Sequence, residues 1–206
     1  MCCASDLNAA GVEYDSKRGV HVDDYLRTSN PHIYAAGDVA SHYKFTHAAD
    51  AMARIVLRNA LFFGREKVSG LTIPWCTYTD PEVAHVGLSQ EEATLRNVAI
   101  QTIEIPMSTV DRAVLDGEDE GFLRIHLRKG SDRILGATLV ARHAGDMISE
   151  ITAMMTAGIG LSALAKTIHP YPTQAEAIKK AADAYNRQKL TPLVKRVFEA
   201  LLAWRR

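Results

Sequence analysis

Two periods run through the apolar positions of this chain. Residues 99–105, 121–127 and 134–141 have strand character, with Ile125, Leu127 and Leu139 among their apolar positions. Asp116–Glu120 reads as an acidic turn between the first two runs, and Arg128–Asp132 as a hairpin loop between the last two. From Asp146, read as an N-cap, Ile148, Ile151, Met154 and Met155 recur at helical spacing as far as Gly158. A shorter helix is expected over Leu161–Lys166. A long one follows with Ala175, Ile178, Ala181 and Tyr185 on one face. The last starts at Thr191-Pro192 and carries Leu193, Val197, Phe198, Leu201 and Trp204 along one side. The 148–155 and 175–185 stripes hold more apolar surface than one sheet face needs, which predicts a homodimer interface beside the alternative of plain core.

Nearer the start, Gly19–Asp23 reads as a short strand after a turn, and Asn30-Pro31-His32 as a second turn. Ile33–Ala36 is an apolar run ending at Gly37-Asp38, the pattern of a buried parallel strand. Gly37 would admit close approach to the backbone. Asp38 would stand at the carboxyl end of that strand, where open α/β sheets bind ligands and a carboxylate suits a sugar or polyol hydroxyl. A Gly-Asp pair also fits a simple turn. Thr46 is read as the N-cap of a helix running through about Phe63 and closed by Gly64. The amides and dipole at the start of that helix would face a ligand.

Composition narrows the partners. The 206 residues allow one or two domains, and 47% hydrophobic with 23% charged residues suits a soluble globular protein. Lys plus Arg and Asp plus Glu number 24 each, so nothing global points to nucleic acid or a membrane. From Lys179 onward there are eight basic and two acidic residues, read as a solvated helix face, with an anionic cofactor or membrane surface as the alternative. No apolar run approaches the roughly 20 residues of a membrane span. Residues 1–6 lack the features of a signal peptide, and so few cysteines make a reducing, cytoplasmic setting the expectation. The three cysteines, Cys2, Cys3 and Cys76, make no disulfide framework. Adjacent Cys2 and Cys3 read as incidental rather than as a soft-metal pair, and no metal site is expected.

The densest chemistry is His169-Pro170-Tyr171-Pro172-Thr173-Gln174-Ala175-Glu176. Each proline biases the preceding residue toward extended backbone, so His169 and Tyr171 are expected on a stiff rail with their side chains on one side. Thr173 and Glu176 fit a helix-capping box. The rail then presents an imidazole and a phenol near a carboxylate, groups suited to proton donation and its orientation. The plainer alternatives are a loop histidine, a packed tyrosine and a carboxylate that only caps a helix.

Several stretches resemble the pyridine nucleotide–disulfide oxidoreductases. Leu26–Val39, ending Ile33-Tyr34-Ala35-Ala36-Gly37-Asp38-Val39, is similar to that family's second flavin-binding stretch. Ile73–Leu88, with Asp80-Pro81-Glu82-Val83-Ala84 and His85-Val86-Gly87, resembles the opening of its dimerisation domain. The rail resembles its terminal His-Pro-Thr-x-x-Glu motif. Aligned on Pro172-Thr173-Gln174-Ala175-Glu176, Tyr171 takes the histidine's place, as in the mercuric-reductase branch, and His169 falls two residues earlier.

The resemblance implies an α+β fold: an antiparallel sheet flanked by helices, preceded by the end of an α/β FAD-binding domain. Residues 1–70 would be the remnant of the FAD domain and 71–206 the dimerisation domain. It implies Gly37, Asp38, Val39, Thr46, His47 and Ala48 at the flavin, and Tyr171, Glu176 and His169 as catalytic candidates facing the partner subunit of a homodimer. The family's Gly-rich fingerprints and redox cysteine pair do not occur here; no Gly-x-Gly-x-x-Gly exists among the 13 glycines. The chain therefore reads as the C-terminal part of an FAD-dependent NAD(P)H oxidoreductase acting on a disulfide or metal ion. FAD and NAD(P)H would belong to the intact enzyme with its other domains, and this chain alone would bind neither and be inactive. The alternative is a non-catalytic dimerisation or interaction module.

Overall fold

The computed structural model describes residues 7–190 and 192–205. Cys2, Cys3, Thr191 and the side chains of Leu193 and Val197 lie outside that description. The chain divides into two compact units between Leu71 and Thr72.

In the first unit, β1 (Tyr14–Asp15) pairs antiparallel with β2 (Gly19–Val20). Ile33–Ala36 is not a parallel strand: it is half-buried extended backbone with one antiparallel bridge, Arg27 to Tyr34. A parallel strand needs neighbours on its ladder, and no described residue supplies one. The turn before it forms as expected, with the Ile33 N–H on the Asn30 carbonyl at 2.9 Å. Next comes α1 (Thr46–Leu61), whose Ala48, Met52 and Ile55 are buried at helical spacing with Val12, Val20 and Leu26. Thr46 is the first helical residue rather than the cap. Phe45 holds the last extended backbone and offers no side-chain bond. The helix ends two residues early because Phe63 adopts left-handed backbone (φ +55°) and returns the Gly64 N–H to the Arg58 carbonyl. A Cβ on Gly64 would lie 2.9 Å from that oxygen, so the position admits only glycine.

In the second unit, β3 (Pro74–Thr77), β4 (Glu82–Gly87), β5 (Ile100–Pro106), β6 (Phe122–Arg128) and β7 (Ile134–Ala141) form one antiparallel sheet in the order β3-β4-β7-β6-β5. Alternation sorts its faces. Ala84 and Leu123 both lie opposite Leu139, Ile103 lies opposite Ile125, and all are buried. The other face is polar: His85 Nδ1 and Thr138 Oγ1 are 2.9 Å apart, as are Thr102 Oγ1 and His126 Nδ1. Between β4 and β5, Ser89 caps α2 (Gln90–Leu95) through a reciprocal bond with Glu92. The stretch before the acidic turn folds as α3 (Asp111–Asp116), which no periodicity announced in six residues.

After β7, α4 (Ala144–Ala157) packs over β3, β4 and β7, and α5 (Glu176–Gln188) packs over β5 and β6. Asp146 is inside α4 rather than its cap. Glu82 Oε2, reaching from β4, accepts the Gly145 N–H at 2.9 Å instead. Ile148, Ile151, Met154, Ile178, Ala181 and Tyr185 are buried in the unit's own core. The two stripes cover the two halves of one sheet face, so they are core and do not form the expected interface. Leu161–Lys166 is a 3-10 segment, and α6 (Pro192–Trp204) closes the chain with Phe198, Leu201, Leu202 and Trp204 exposed. The result is α+β, with an antiparallel sheet and helices, as expected. No described helix is long and apolar enough to cross a membrane.

Candidate functional site

The first group of candidate residues lies where the extended Ile33–Ala36 segment turns into α1. Gly37–Val39 is a single 3-10 turn. Gly37 is buried at φ +78°, and a Cβ there would press on the Ala49 Cβ at 3.0 Å. Glycine thus lets this turn seat against the first turn of α1. Asp38 and Val39 are exposed beyond it. A cleft of about 380 Å³ beside Asp38 is lined also by Lys17, Arg18 and Lys44. Thr46 and His47 are exposed at the start of α1, and Ala48 is buried under them. The start of α1 carries the positive end of the helix dipole.

The second group lies on the rail, and the structure does not bring it together as the spacing suggested. His169 and Tyr171 turn to different elements. The His169 side chain is only 7% exposed, with Nε2 3.0 Å from Glu150 Oε1 on α4 and Nδ1 3.3 Å from the Thr167 carbonyl. Tyr171 is 70% exposed and donates its hydroxyl to Asp111 Oδ2 at 2.9 Å. That hydrogen bond, with the Asp111 charge and more weakly the Glu176 charge, raises the phenol above its ordinary value. The phenol stays protonated well beyond neutral pH.

Thr173 and Glu176 do not form a capping box. Gln174 and Ala175 make a turn, so the helix starts at Glu176 instead of at Gln174. Thr173 Oγ1 donates to the Pro170 carbonyl at 3.0 Å. Glu176 faces Lys180 at 3.8 Å through Oε1, while its Oε2 is buried without a partner among the described residues. Gln174, buried, donates to Glu118 Oε2 at 2.7 Å.

Three functional candidates escaped the sequence pattern: Asp111, Glu150 and Glu118. Each is 19 or more residues from its rail partner, and none sits in a local motif. The one available signal for Asp111 was its position at the start of a helix too short to show a period. No group of three or more His, Cys, Asp or Glu side chains among the described residues has metal-binding geometry.

Comparison with known proteins gives these two groups a context. Residues 73–182 match the model of the pyridine nucleotide-disulphide oxidoreductase dimerisation domain. Residues 3–53 match a second model, described as pyridine nucleotide-disulphide oxidoreductase. The chain is 37% identical over 179 residues to a mercuric reductase of Streptomyces lividans, covering 87% of this chain and 38% of that protein. It is 34% identical over 184 residues to a dihydrolipoyl dehydrogenase of Thermus scotoductus, covering 89% and 40%. Among solved structures, LpdA of Mycobacterium tuberculosis superposes with a TM-score of 0.82 at 29% identity, over 89% of this chain and 40% of that one. The HOCl-induced flavoprotein disulfide reductase RclA of Escherichia coli superposes with a TM-score of 0.78 at 26% identity, over 86% and 41%. The chain thus spans about two fifths of the length of these relatives.

Proposed function

This chain belongs to the pyridine nucleotide-disulphide oxidoreductases, and from that premise we propose that it serves as the dimerisation part and flavin-facing edge of an FAD-dependent NAD(P)H oxidoreductase. The substrate class is a disulfide or a metal ion, with the mercuric-reductase-like branch favoured. Residues 1–70 act as the end of the FAD-binding domain and 71–206 as the dimerisation domain of a cytoplasmic homodimer. The observation that carries the proposal is Tyr171: the motif's one outward, solvent-facing polar side chain, held at a fixed point by Asp111.

The first unit fits a flavin. Gly37 would hold its turn against α1, Asp38 and Val39 would stand exposed beyond it with the carboxylate free to take a ribityl hydroxyl, and the start of α1 at Thr46-His47-Ala48 would supply amides to the flavin. When bound, the flavin carries an electron pair from NAD(P)H toward the substrate. The adenine and pyrophosphate contacts belong in this family to a Gly-rich fingerprint absent from this sequence, so the chain alone does not hold FAD tightly. A preparation of this chain that is yellow with near-stoichiometric flavin would contradict that.

Tyr171 places substrate rather than cycling protons. Its O–H donates to Asp111, which leaves the oxygen lone pairs outward to accept a hydrogen bond or to ligate a soft cation weakly. A base working near neutral pH needs a far lower pKa than a phenol raised above its ordinary value. In the complete enzyme, Tyr171→Phe should lower metal-ion or disulfide turnover by roughly 10–100-fold, with flavin reduction by NAD(P)H intact. The reading is overturned by neutral Tyr171→Phe together with abolished turnover and a lost pH limb near roughly 6–7 in His169→Ala. A non-catalytic dimerisation module is the second reading, favoured by the self-contained core of the second unit. It predicts no flavin binding even with the family's other domains supplied.

A further inference from the structure

We propose that Glu150 and His169 form a clamp that sets where Tyr171 stands, which makes both of them positioning residues; this rests on Tyr171 being the outward residue of the site. Residues 167–175 belong to no helix or strand, so the rail lacks the ladder bonds that fix the rest of the unit. Ile168 is 93% exposed, and Pro170 and Tyr171 are exposed too. From Ile168 to Tyr171 only His169 turns inward. With the Tyr171–Asp111 bond, it ties this half of the rail to the body of the unit.

The histidine lies between two groups that can only accept when Glu150 is ionised: the Thr167 carbonyl at Nδ1 and the Glu150 carboxylate at Nε2. An imidazole with one N–H would set a bare lone pair against one of them. Both contacts are satisfied when the ring donates from both nitrogens, and the bond to Glu150 is then charge-assisted and strong. Glu150 is a firm anchor. Its neighbours on α4, Met147, Ile151 and Met154, are all buried in the core. The far end of the rail is closed by Thr173 on the Pro170 carbonyl and Tyr171 on Asp111. Tyr171 is two residues from the clamp, at most roughly 7 Å of chain, so a shift at His169 passes directly to the phenol.

The test uses the 206-residue chain. Nitrogen-15 spectra of the His169 ring should show a hydrogen on Nε2, the nitrogen that faces Glu150. With 3-fluorotyrosine at position 171, His169→Ala and Glu150→Ala should each move the fluorine resonance toward that of the free amino acid. Glu150→Gln keeps an oxygen that accepts from Nε2–H, so it should retain most of the original position. A ring whose Nε2 carries no hydrogen, or a fluorine resonance unmoved in Glu150→Ala, overturns the clamp. Should His169→Ala fail to fold, the ring spectrum and Glu150→Ala still decide. The Tyr171→Phe turnover measurement is independent: a clamp seen by these spectra with unimpaired Tyr171→Phe turnover leaves the clamp standing and removes the functional reading.

Discussion

The two units hold their backbones in different ways. In the second, a five-stranded ladder and one apolar face carry the structure, with Ala84, Val86, Leu123, Ile125, Leu127 and Leu139 fully buried. In the first, the strands are two residues long, and short polar side chains do much of the work of a ladder. Asp15 accepts the Lys17 and Arg18 N–H groups at 2.8 and 2.7 Å, Asp23 accepts those of Tyr25 and Arg27, and Asp24 holds Ser69 across 45 residues. Leu57, Leu61, Phe62 and Phe63 stay exposed at the end of its helix. Side-chain-to-backbone bonds of this kind fix a turn locally but add little cooperativity. The candidate chemistry in both units, Asp38 and the rail, lies on segments without a ladder. There the backbone is free to aim a side chain outward.

The largest expected consequence is unequal stability. Leu139 sits between Ala84 and Leu123 at the centre of the sheet, so Leu139→Ala should cost the second unit about 2–5 kcal/mol. Met52 is equally buried in the first unit, yet Met52→Ala should strip protection from residues up to Leu71 and leave the sheet unmoved. Hydrogen exchange resolved by segment measures both. Loss of protection in β7 on Met52→Ala would show that the units fold as one and break the comparison.

A smaller effect separates long-range from local capping. Glu82 reaches from β4 to the Gly145 N–H, so Glu82→Ala should cost about 0.5–2 kcal/mol and fray the start of α4. Asp15→Ala in the first unit removes two turn bonds but should loosen only the β1–β2 turn. Equal changes in the melting midpoint for the two variants would mean the turn matters to global stability as much as the tertiary cap.

These contrasts also mark what the sequence made legible. The strands over 134–141, the hairpin after Arg128 and the Gly158 stop are all readable, because period and turn chemistry are local properties. Ile33–Ala36 was misread since a parallel strand is defined by its neighbours, which no local run encodes. The capping errors at Thr46, Asp146 and Thr173 share a cause. The pattern shows which residues are able to cap, but partners such as Glu82 arrive from elsewhere in the fold. In the site, the motif was visible by resemblance, whereas Asp111 and Glu150, the groups that separate Tyr171 from His169, were not.

The gentlest way to sharpen the comparison is acid. His126 is 2% exposed on the polar face of the sheet, bonded to Thr102 and near Arg124 and His85. Burial first, then those two neighbours, lowers its pKa from the ordinary 6.5. A folded state that binds the proton more weakly than the unfolded chain gains stability above the unfolded value and loses it as pH falls through the folded one. The second unit should therefore hold its melting temperature above about pH 6.5 and lose it gradually below. His126→Asn keeps a polar partner for Thr102 but does not titrate in this range, so that share of the acid slope should vanish. The slope belongs to the second unit alone: exchange in the first should be no more acid-sensitive in the parent than in the variant. An acid slope unchanged by His126→Asn would place its origin in another group and leave the ring of His126 a silent part of the sheet's polar face.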